Sequence, residues 1–296
     1  MNATANRTIL VTGVNGQVGF ELARSLQGLG RVVALDRQQF DLANFDQIRS
    51  VIRELQPALI VNPAAYTAVD QAEKDAEAAT KINGHAPGVI AEEARRLGAT
   101  LFHFSTDYVF DGTKSGPYVE MDETDPQNVY GASKLAGEQA IEAAGGNAMV
   151  FRTSWVYGRR GKNFLLTMLR LAAEKPALRI VGDQIGAPTW SKTIATMVSH
   201  IAAQGLFAGN DWWSEKSGIY HLSAGGSTSW AGFAEAIFDL ATLEKKPTVE
   251  AIPASEYPVP AKRPANSVMS GEKLGSAFGL KMPQWDEALR LCIGEA

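Results

Sequence analysis

The chain has 296 residues, of which 45% are hydrophobic and 20% charged, the profile of a globular protein roughly twice the size of an ordinary domain. Lys+Arg 28 against Asp+Glu 32 leave a formal net charge of −4. Without a long run of like charges, that balance excludes a nucleic-acid polymer as partner, because such binding needs a basic surface to displace phosphate counterions. A small anionic ligand stays compatible, since a few local Arg or Lys residues can hold it. Cys292 is the only cysteine, which excludes an intrachain disulfide and a cysteine-based zinc site. His85, His103, His200 and His221 do not fall at metal-ligand spacing. No apolar run approaches the roughly 18 residues that span a bilayer. Ile9-Leu10-Val11 is too short for a signal-peptide core, so the cytoplasm is the expected location.

The predicted elements alternate from the start. Thr8 to Thr12 reads as a fully buried strand and Gln17 to Leu26 as a helix with Val18, Leu22 and Leu26 on one face. Arg31 to Leu35 is a second strand; Asn44 caps a helix carrying Phe45, Ile48, Val51, Ile52 and Leu55 that stops before Pro57. Ala58 to Asn62 is a third strand, and a helical region from about 70 to 97 leads to a fourth, Thr100 to Phe104. A helix near 128–144 and a strand at Met149-Val150-Phe151 follow. Such alternation predicts an α/β fold, a Rossmann-type doubly wound parallel sheet. Beyond residue 155 frequent prolines and tryptophans predict a smaller C-terminal substrate-binding lobe. The expected division is a dinucleotide-binding domain over 1–155, completed by segments from about 178–225, and a mainly substrate-binding lobe over 156–296.

Between the first strand and helix lies Gly13-Val14-Asn15-Gly16-Gln17-Val18-Gly19. Glycines there permit a tight turn, close approach of backbone N–H groups to a pyrophosphate, and close helix–sheet packing, while the helix N-terminus adds partial positive charge. Asp36 ends the second strand, where an acid can bind the ribose 2′-hydroxyl of NAD(H), but the adjacent Arg37 can pair with the 2′-phosphate of NADPH instead. Both cofactors stay open. Asp41-Leu42 lies where an adenine would sit, or Asp41 is a plain turn residue. Ala64-Ala65 are small enough to let backbone approach a cofactor.

Tyr130 and Lys134 are four residues apart and share a helix face. Free tyrosine titrates near pH 10, and a cation held nearby is expected to lower that value, suiting an acid/base at a carbonyl or alcohol. The fourth strand runs into Ser105-Thr106-Asp107 at the carboxyl edge where open α/β sheets bind ligands. Thr106 is placed to hydrogen-bond a substrate carbonyl, whereas Ser105 and Asp107 can simply cap the next turn.

These motifs, with Ser105 to Phe110 and Arg152-Thr153-Ser154-Trp155-Val156-Tyr157-Gly158, resemble the extended short-chain dehydrogenase/reductases. More narrowly they look like the dTDP-4-dehydrorhamnose reductase family. Further matches are Val61-Asn62, Thr67-Ala68-Val69-Asp70, Asp183-Gln184, Gly186-Ala187-Pro188-Thr189 and Arg263-Pro264, and the resemblance runs from about residue 8 to 290. It implies reduction of the C4 ketone of dTDP-4-dehydro-L-rhamnose by NADPH or NADH. Tyr130 would be the proton donor, Lys134 would bind the nicotinamide ribose, and Thr106 would assist the carbonyl. Thr106, Asp107 and Trp155 would contact the sugar nucleotide; Gly16, Gln17, Val18, Asp36, Asp41, Leu42, Ala64, Ala65 and Tyr66 would line the cofactor. Pro63 and Tyr66 depart from the small residue and the His usual there. Some family members are dimers bridged by Mg²⁺ through glutamates. Glu21 matches one such position but Lys192 stands at another, which disfavours Mg²⁺; the expected state is a monomer or weak homodimer with no metal site.

Several residues keep two readings. Trp155 is core or a stacking platform, Arg263 beside Lys262 a diphosphate ligand or a surface pair, and Trp212-Trp213 lobe packing or an exposed patch. His103, inside an apolar strand, is expected to be a satisfied core histidine. Rivals to the reductase are an epimerase or dehydratase of the same fold, which shows no net oxidation, and a non-catalytic regulatory subunit. The last predicts loss of the acid/base set, yet Tyr130, Lys134 and Thr106 are all present.

Overall fold

A computed structural model describes residues 7–294. The first half runs β1 (Thr8–Val11), α1 (Gln17–Ser25), β2 (Arg31–Ala34), α2 (Phe45–Leu55), β3 (Leu59–Asn62), α3 (Val69–Ala72), α4 (Ala76–Thr80), α5 (Ala86–Leu97), β4 (Thr100–Thr106), α6 (Val129–Ala144) and β5 (Ala148–Thr153). Next come β6 (Val156–Tyr157), α7 (Phe164–Glu174), β7 (Ala177–Val181), β8 (Ile185–Gly186), β9 (Thr189–Trp190), α8 (Ser191–Ala208) and α9 (Asn210–Lys216). The chain ends with β10 (Gly218–His221), β11 (Thr228–Ser229), α10 (Trp230–Leu240), β12 (Thr248–Ile252), α11 (Glu272–Phe278) and α12 (Trp285–Gly294).

Six strands form one sheet in the order β10-β5-β4-β3-β1-β2, and every pair in it is parallel. The order reverses between β1 and β3, the switch point at which open α/β sheets leave a crevice beyond the strand ends. Apolar side chains alternate across the sheet because successive strand residues face opposite sides. Ile9, Val11, Val61, Phe102 and Phe151 pack with α1 and α8 on one face. Leu10, Ile60, Leu101 and Val150 pack with α2 and α5 on the other. A separate core of Tyr157, Leu165, Leu178, Phe233, Phe238 and Leu289 holds the lobe together. Trp213 is buried against Phe102, with ring centroids 5.7 Å apart, and Trp212 lies edge-on to it, so this pair is packing rather than an exposed patch.

Asn44 caps α2 as expected, its side chain accepting from the Gln47 N–H. The helical region over 70–97 is not continuous. It breaks into α3, α4 and α5, with a π-turn at Lys81–His85 before Pro87. The gap falls at residues 73–75, whereas the π-turn joins α4 to α5 without a gap and carries Asn83-Gly84: both are buried, and Gly84 sits where a Cβ would press on Ala136 of α6 at 3.3 Å. Close contact with α6, rather than helix propensity, sets the path there.

Candidate active site

A cleft of about 740 Å³ opens at the carboxyl edge of the sheet. Its floor near β1 is the glycine loop. Gly13 has φ +58° and a Cβ there would come 2.9 Å from that of Ala64; a Cβ on Gly19 would collide with the Gly13 carbonyl. Backbone curvature and close packing therefore demand glycine at both positions. Gly16 precedes α1 with no side-chain cap, which leaves the first N–H groups of this nine-residue helix for a ligand in the cleft. Gly13, Gly16, Gln17, Val18 and Gly19 line the cleft together with Arg37, Asp41, Leu42, Ala64, Ala65 and Tyr66. Pro63 lines it too.

Asp36 is the expected residue that the fold does not bring into this lining. It borders a neighbouring depression of about 580 Å³ with Arg37, Asp41 and Asn44. Its carboxylate accepts from the Gln38 and Gln39 N–H groups at 2.9 and 3.2 Å, so it organises its own turn. Arg37 is exposed and stands 3.7 Å from the Asp41 carboxylate.

The opposite wall is built by β4, the turn after it, and α6. Asn128 caps α6 by accepting from the Gly131 N–H at 2.8 Å. A Cβ on Gly131 would collide with the Tyr108 carbonyl, and this contact seats the start of α6 on the turn that holds Thr106 and Asp107. Tyr130 and Lys134 then project from one face, one helical turn apart. Both line the cleft, as do Thr106, Asp107 and Trp155.

Lys134 is fully buried; its Nζ donates to the Phe104 carbonyl at 2.6 Å and meets His103 Nε2 at 3.2 Å. Burial pushes its ammonium down to about 8, with Glu138 opposing. Tyr130 does not follow the expected lowering. Burial of its hydroxyl, then the Asp107 charge, push the phenol well above its ordinary value, and the Thr106 hydrogen bond only partly offsets them. The group is thus held protonated, the form in which it can donate. Burial also raises Asp107 to about 6 and Tyr108 to about 12.

Turn capping falls to Thr106 rather than to Ser105 or Asp107. Its Oγ1 accepts from the Tyr108 N–H at 3.2 Å and donates to Asp107 Oδ1 at 2.9 Å. Ser105 Oγ, Asp107 Oδ2 and Thr153 Oγ1 are buried without hydrogen-bond partners among the described residues, and all three residues line the cleft. Such groups are costly to bury unless a ligand satisfies them. Trp155 has one face covered by Trp230, with ring centroids 3.5 Å apart and planes at 7°. Its backbone lies at φ +47°, a conformation uncommon for a bulky residue. Arg263 stays outside the cleft lining. It pairs with Asp70 at 2.7 Å and donates to the Tyr108 hydroxyl at 3.2 Å, so it braces the β4 turn from behind.

Several contributors escaped the sequence reading. Asn83 accepts from the Tyr66 N–H at 2.8 Å and donates to the Tyr66 carbonyl and Ser133 Oγ at 3.0 Å, fixing the cleft loop to α6. An Asn-Gly pair inside a helical pattern was the available signal. Gly161 and Lys162 line the cleft from the lobe, and Asn163 donates to the Gln17 side chain at 2.9 Å; the basic run Arg159-Arg160-Gly161-Lys162 pointed there. His103 is the satisfied core histidine expected, buried and hydrogen-bonded; that its partners are Asn62 and Lys134 is not announced by its apolar strand.

A family model described as the RmlD substrate binding domain matches residues 7–296. The dTDP-4-dehydrorhamnose reductase of Burkholderia thailandensis is 50% identical over 296 residues, covering 96% of this chain and 97% of that protein. The chain belongs to the dTDP-4-dehydrorhamnose reductase family, a family of oxidoreductases. The family member from Salmonella typhimurium is 43% identical, covering 97% of each chain. A crystal structure of the dTDP-4-dehydrorhamnose reductase of Bacillus anthracis in complex with NADP superposes with a TM-score of 0.91 at 35% identity, covering 98% of this chain and 100% of that one. No helix among the described residues is long and apolar enough to cross a membrane.

Proposed function

We propose that the chain reduces the C4 ketone of dTDP-4-dehydro-L-rhamnose to dTDP-L-rhamnose with NADPH, or with NADH in its place, and that Tyr130 donates the proton. The observation that carries this reading is a half-buried, protonated phenol one helical turn from a buried lysine, across the cleft from a glycine loop, in a chain of this family. The residues present fit a dinucleotide. The tight packing of Gly13 and Gly19 fixes the turn before α1, and the uncapped start of α1 offers N–H groups to a diphosphate.

The dinucleotide, when bound, supplies the hydride to the ketone carbon. The chain supplies the proton and the geometry. Tyr130 Oη gives its proton to the developing alkoxide at C4, and the ammonium of Lys134, one helical turn along α6, is assigned to oppose the charge of the phenolate left behind. Lys134 is assigned to the nicotinamide ribose, with Gly16, Gln17, Val18, Arg37, Ala64 and Tyr66 along the rest of the cofactor. Thr106 sits between Asp107 and Tyr130 and orients the carbonyl. Asp107 and Trp155 face the sugar nucleotide, as do the unpartnered hydroxyls of Ser105 and Thr153. In this division residues 1–155 serve mainly the dinucleotide, with segments from about 178–225 completing that domain, and 156–296 mainly the sugar nucleotide.

The test follows the absorbance of reduced nicotinamide with dTDP-4-dehydrorhamnose, using NADPH and then NADH. Consumption with at least one cofactor is expected; folded protein that oxidises neither overturns the reading. Tyr130→Phe should cut turnover at least about 100-fold, the scale of acid/base catalysis. Near-normal turnover in that variant removes Tyr130 as the donor.

A further inference from the structure

Three neighbouring strands bring polar side chains into one buried row beneath the cleft. Thr12 follows β1, and its N–H donates to the Val61 carbonyl at 3.1 Å. Asn62 ends β3 and is the register partner of His103 in β4. The row continues through side chains: Thr12 Oγ1 lies 2.6 Å from Asn62 Oδ1, Asn62 Nδ2 lies 3.1 Å from His103 Nδ1, and His103 Nε2 lies 3.2 Å from Lys134 Nζ. None of the four residues is more than 1% exposed. Thr12, Asn62 and His103 do not line the cleft, whereas Lys134 does. Ligand contact therefore explains only the last member, and a buried polar string in an apolar sheet calls for another reason.

Stereochemistry supplies one. An ammonium carries three protons. The Phe104 carbonyl takes one and His103 Nε2 a second, so the third is left for the cleft. For Nε2 to accept, the ring proton must sit on Nδ1 and donate to the Asn62 amide oxygen. That oxygen faces the ring once the amide turns through half a rotation, and the amide nitrogen then donates to the Thr12 hydroxyl. The reverse sense, from hydroxyl to amide to ring to amine, suits an uncharged lysine. The two senses are not equivalent: His103 accepts from a charged Lys134 only in the first, and in the second it donates to the neutral amine.

We propose that His103 is a positioning residue for Lys134: it holds the ammonium charged and aimed into the cleft, with Asn62 and Thr12 as its anchor. His103 itself stays neutral, because burial and the neighbouring Lys134 push it well below its ordinary value. The other titratable or charged groups acting there are Glu138 of α6, which is paired with Arg152 of β5, and Tyr130, which Asp107 opposes. Burial pulls Lys134 toward the neutral amine. Glu138 pulls the other way, and so does the hydrogen bond that neutral His103 Nε2 accepts from the ammonium, so removing His103 should move the lysine's titration to lower pH.

The consequence for turnover rests on the reductase reading; the binding arm of the test does not. NADPH fluorescence is titrated against pH, without sugar, for the wild type and for His103→Leu, His103→Gln and Asn62→Ala, with folding checked by circular dichroism and melting. Wild-type affinity should fall as pH rises through about 8. In His103→Leu that limb should move about one pH unit lower, the worth of one hydrogen bond to a charged group. In His103→Gln, whose amide can still face Lys134, it should stay near the wild type. Turnover in His103→Leu should fall about 2-fold at pH 7 and approach 10-fold above about pH 9, with little change in sugar KM, as a limb moved by one pH unit requires. A folded His103→Leu with an unmoved limb overturns the proposal, and so does a glutamine variant displaced as far as the leucine one. Should the leucine variant not fold, Asn62→Ala decides: a smaller shift in the same direction supports the anchor, and an unmoved limb sinks it. If the wild type binds NADPH with this limb but never oxidises it with the sugar, the reductase reading fails while the role of His103 stands.

Discussion

Along the β1–β2 side, the cleft wall is mostly backbone and small residues, with Gly13, Gly16, Gly19, Ala64 and Ala65 in the lining. Along the β4–α6 side it is side chains with titratable tips, Asp107, Tyr108, Tyr130 and Lys134, each shifted from its ordinary value first of all by burial. The first wall works by shape and by amide dipoles, which do not change with pH. The second works by charge, and its buried groups make it sensitive to pH and to single-atom substitutions. Behind the second wall the charge is braced. Arg152 and Glu138 form a two-pronged ion pair at 3.0 and 2.6 Å, both side chains almost completely buried.

The sharpest way to break this contrast is Glu138→Gln. It strands Arg152 as a buried, unmatched cation and should destabilise the fold by about 3–5 kcal/mol, measured by urea unfolding; a loss within experimental error would show that the brace carries no weight. Asp107→Asn should act in the opposite direction. The Asp107 pKa is raised from 3.8 to about 6, so the folded state is favoured while the carboxyl is neutral, and that advantage is lost as pH rises through about 6. The asparagine variant should therefore gain stability of the order of 3 kcal/mol above about pH 7 and nothing below about pH 4. A gain independent of pH would contradict the origin of that shift in burial.

On the glycine wall, Gly19→Ala should weaken cofactor binding or stability by about 1–3 kcal/mol through overpacking against the Gly13 carbonyl, with no pH signature. A pH-dependent loss there would erase the distinction between the two walls. The smallest effect is expected at the exposed Arg37. Arg37→Ala should weaken NADPH by roughly 1 kcal/mol or less, the usual worth of an exposed ion pair, and fade with added salt. NADH should be nearly unaffected, and equal losses for both would show that Arg37 does not read the 2′-phosphate.

Asp36 and Tyr130 show where sequence reasoning stopped. Asp36 lies in the turn after β2 and Tyr130 on α6, but one carboxylate oxygen of the first accepts from both the Gln38 and Gln39 amides. The second is raised where a nearby lysine led one to expect lowering. Position along a strand or helix was legible; the balance between burial and charge was not, because burial depends on what the turn after β4 lays against the ring. Trp155 is a similar case. Its place after β5 was clear, but its partner Trp230 lies in the lobe, far along the chain.

By itself the sequence determined the alternation of strands and helices, the glycine turn before α1, the Asn44 cap and the shared face of Tyr130 and Lys134. All of these rest on short-range geometry, the period of two in strands and of 3.6 in helices, and the few residues that permit a turn. Only the tertiary structure decided that Asn83, within the π-turn, holds Tyr66, that Asn163 of the lobe reaches Gln17, and that Thr12, Asn62, His103 and Lys134 form one row. Those contacts join residues brought together by sheet order and register, and no local pattern encodes which strand will lie beside which.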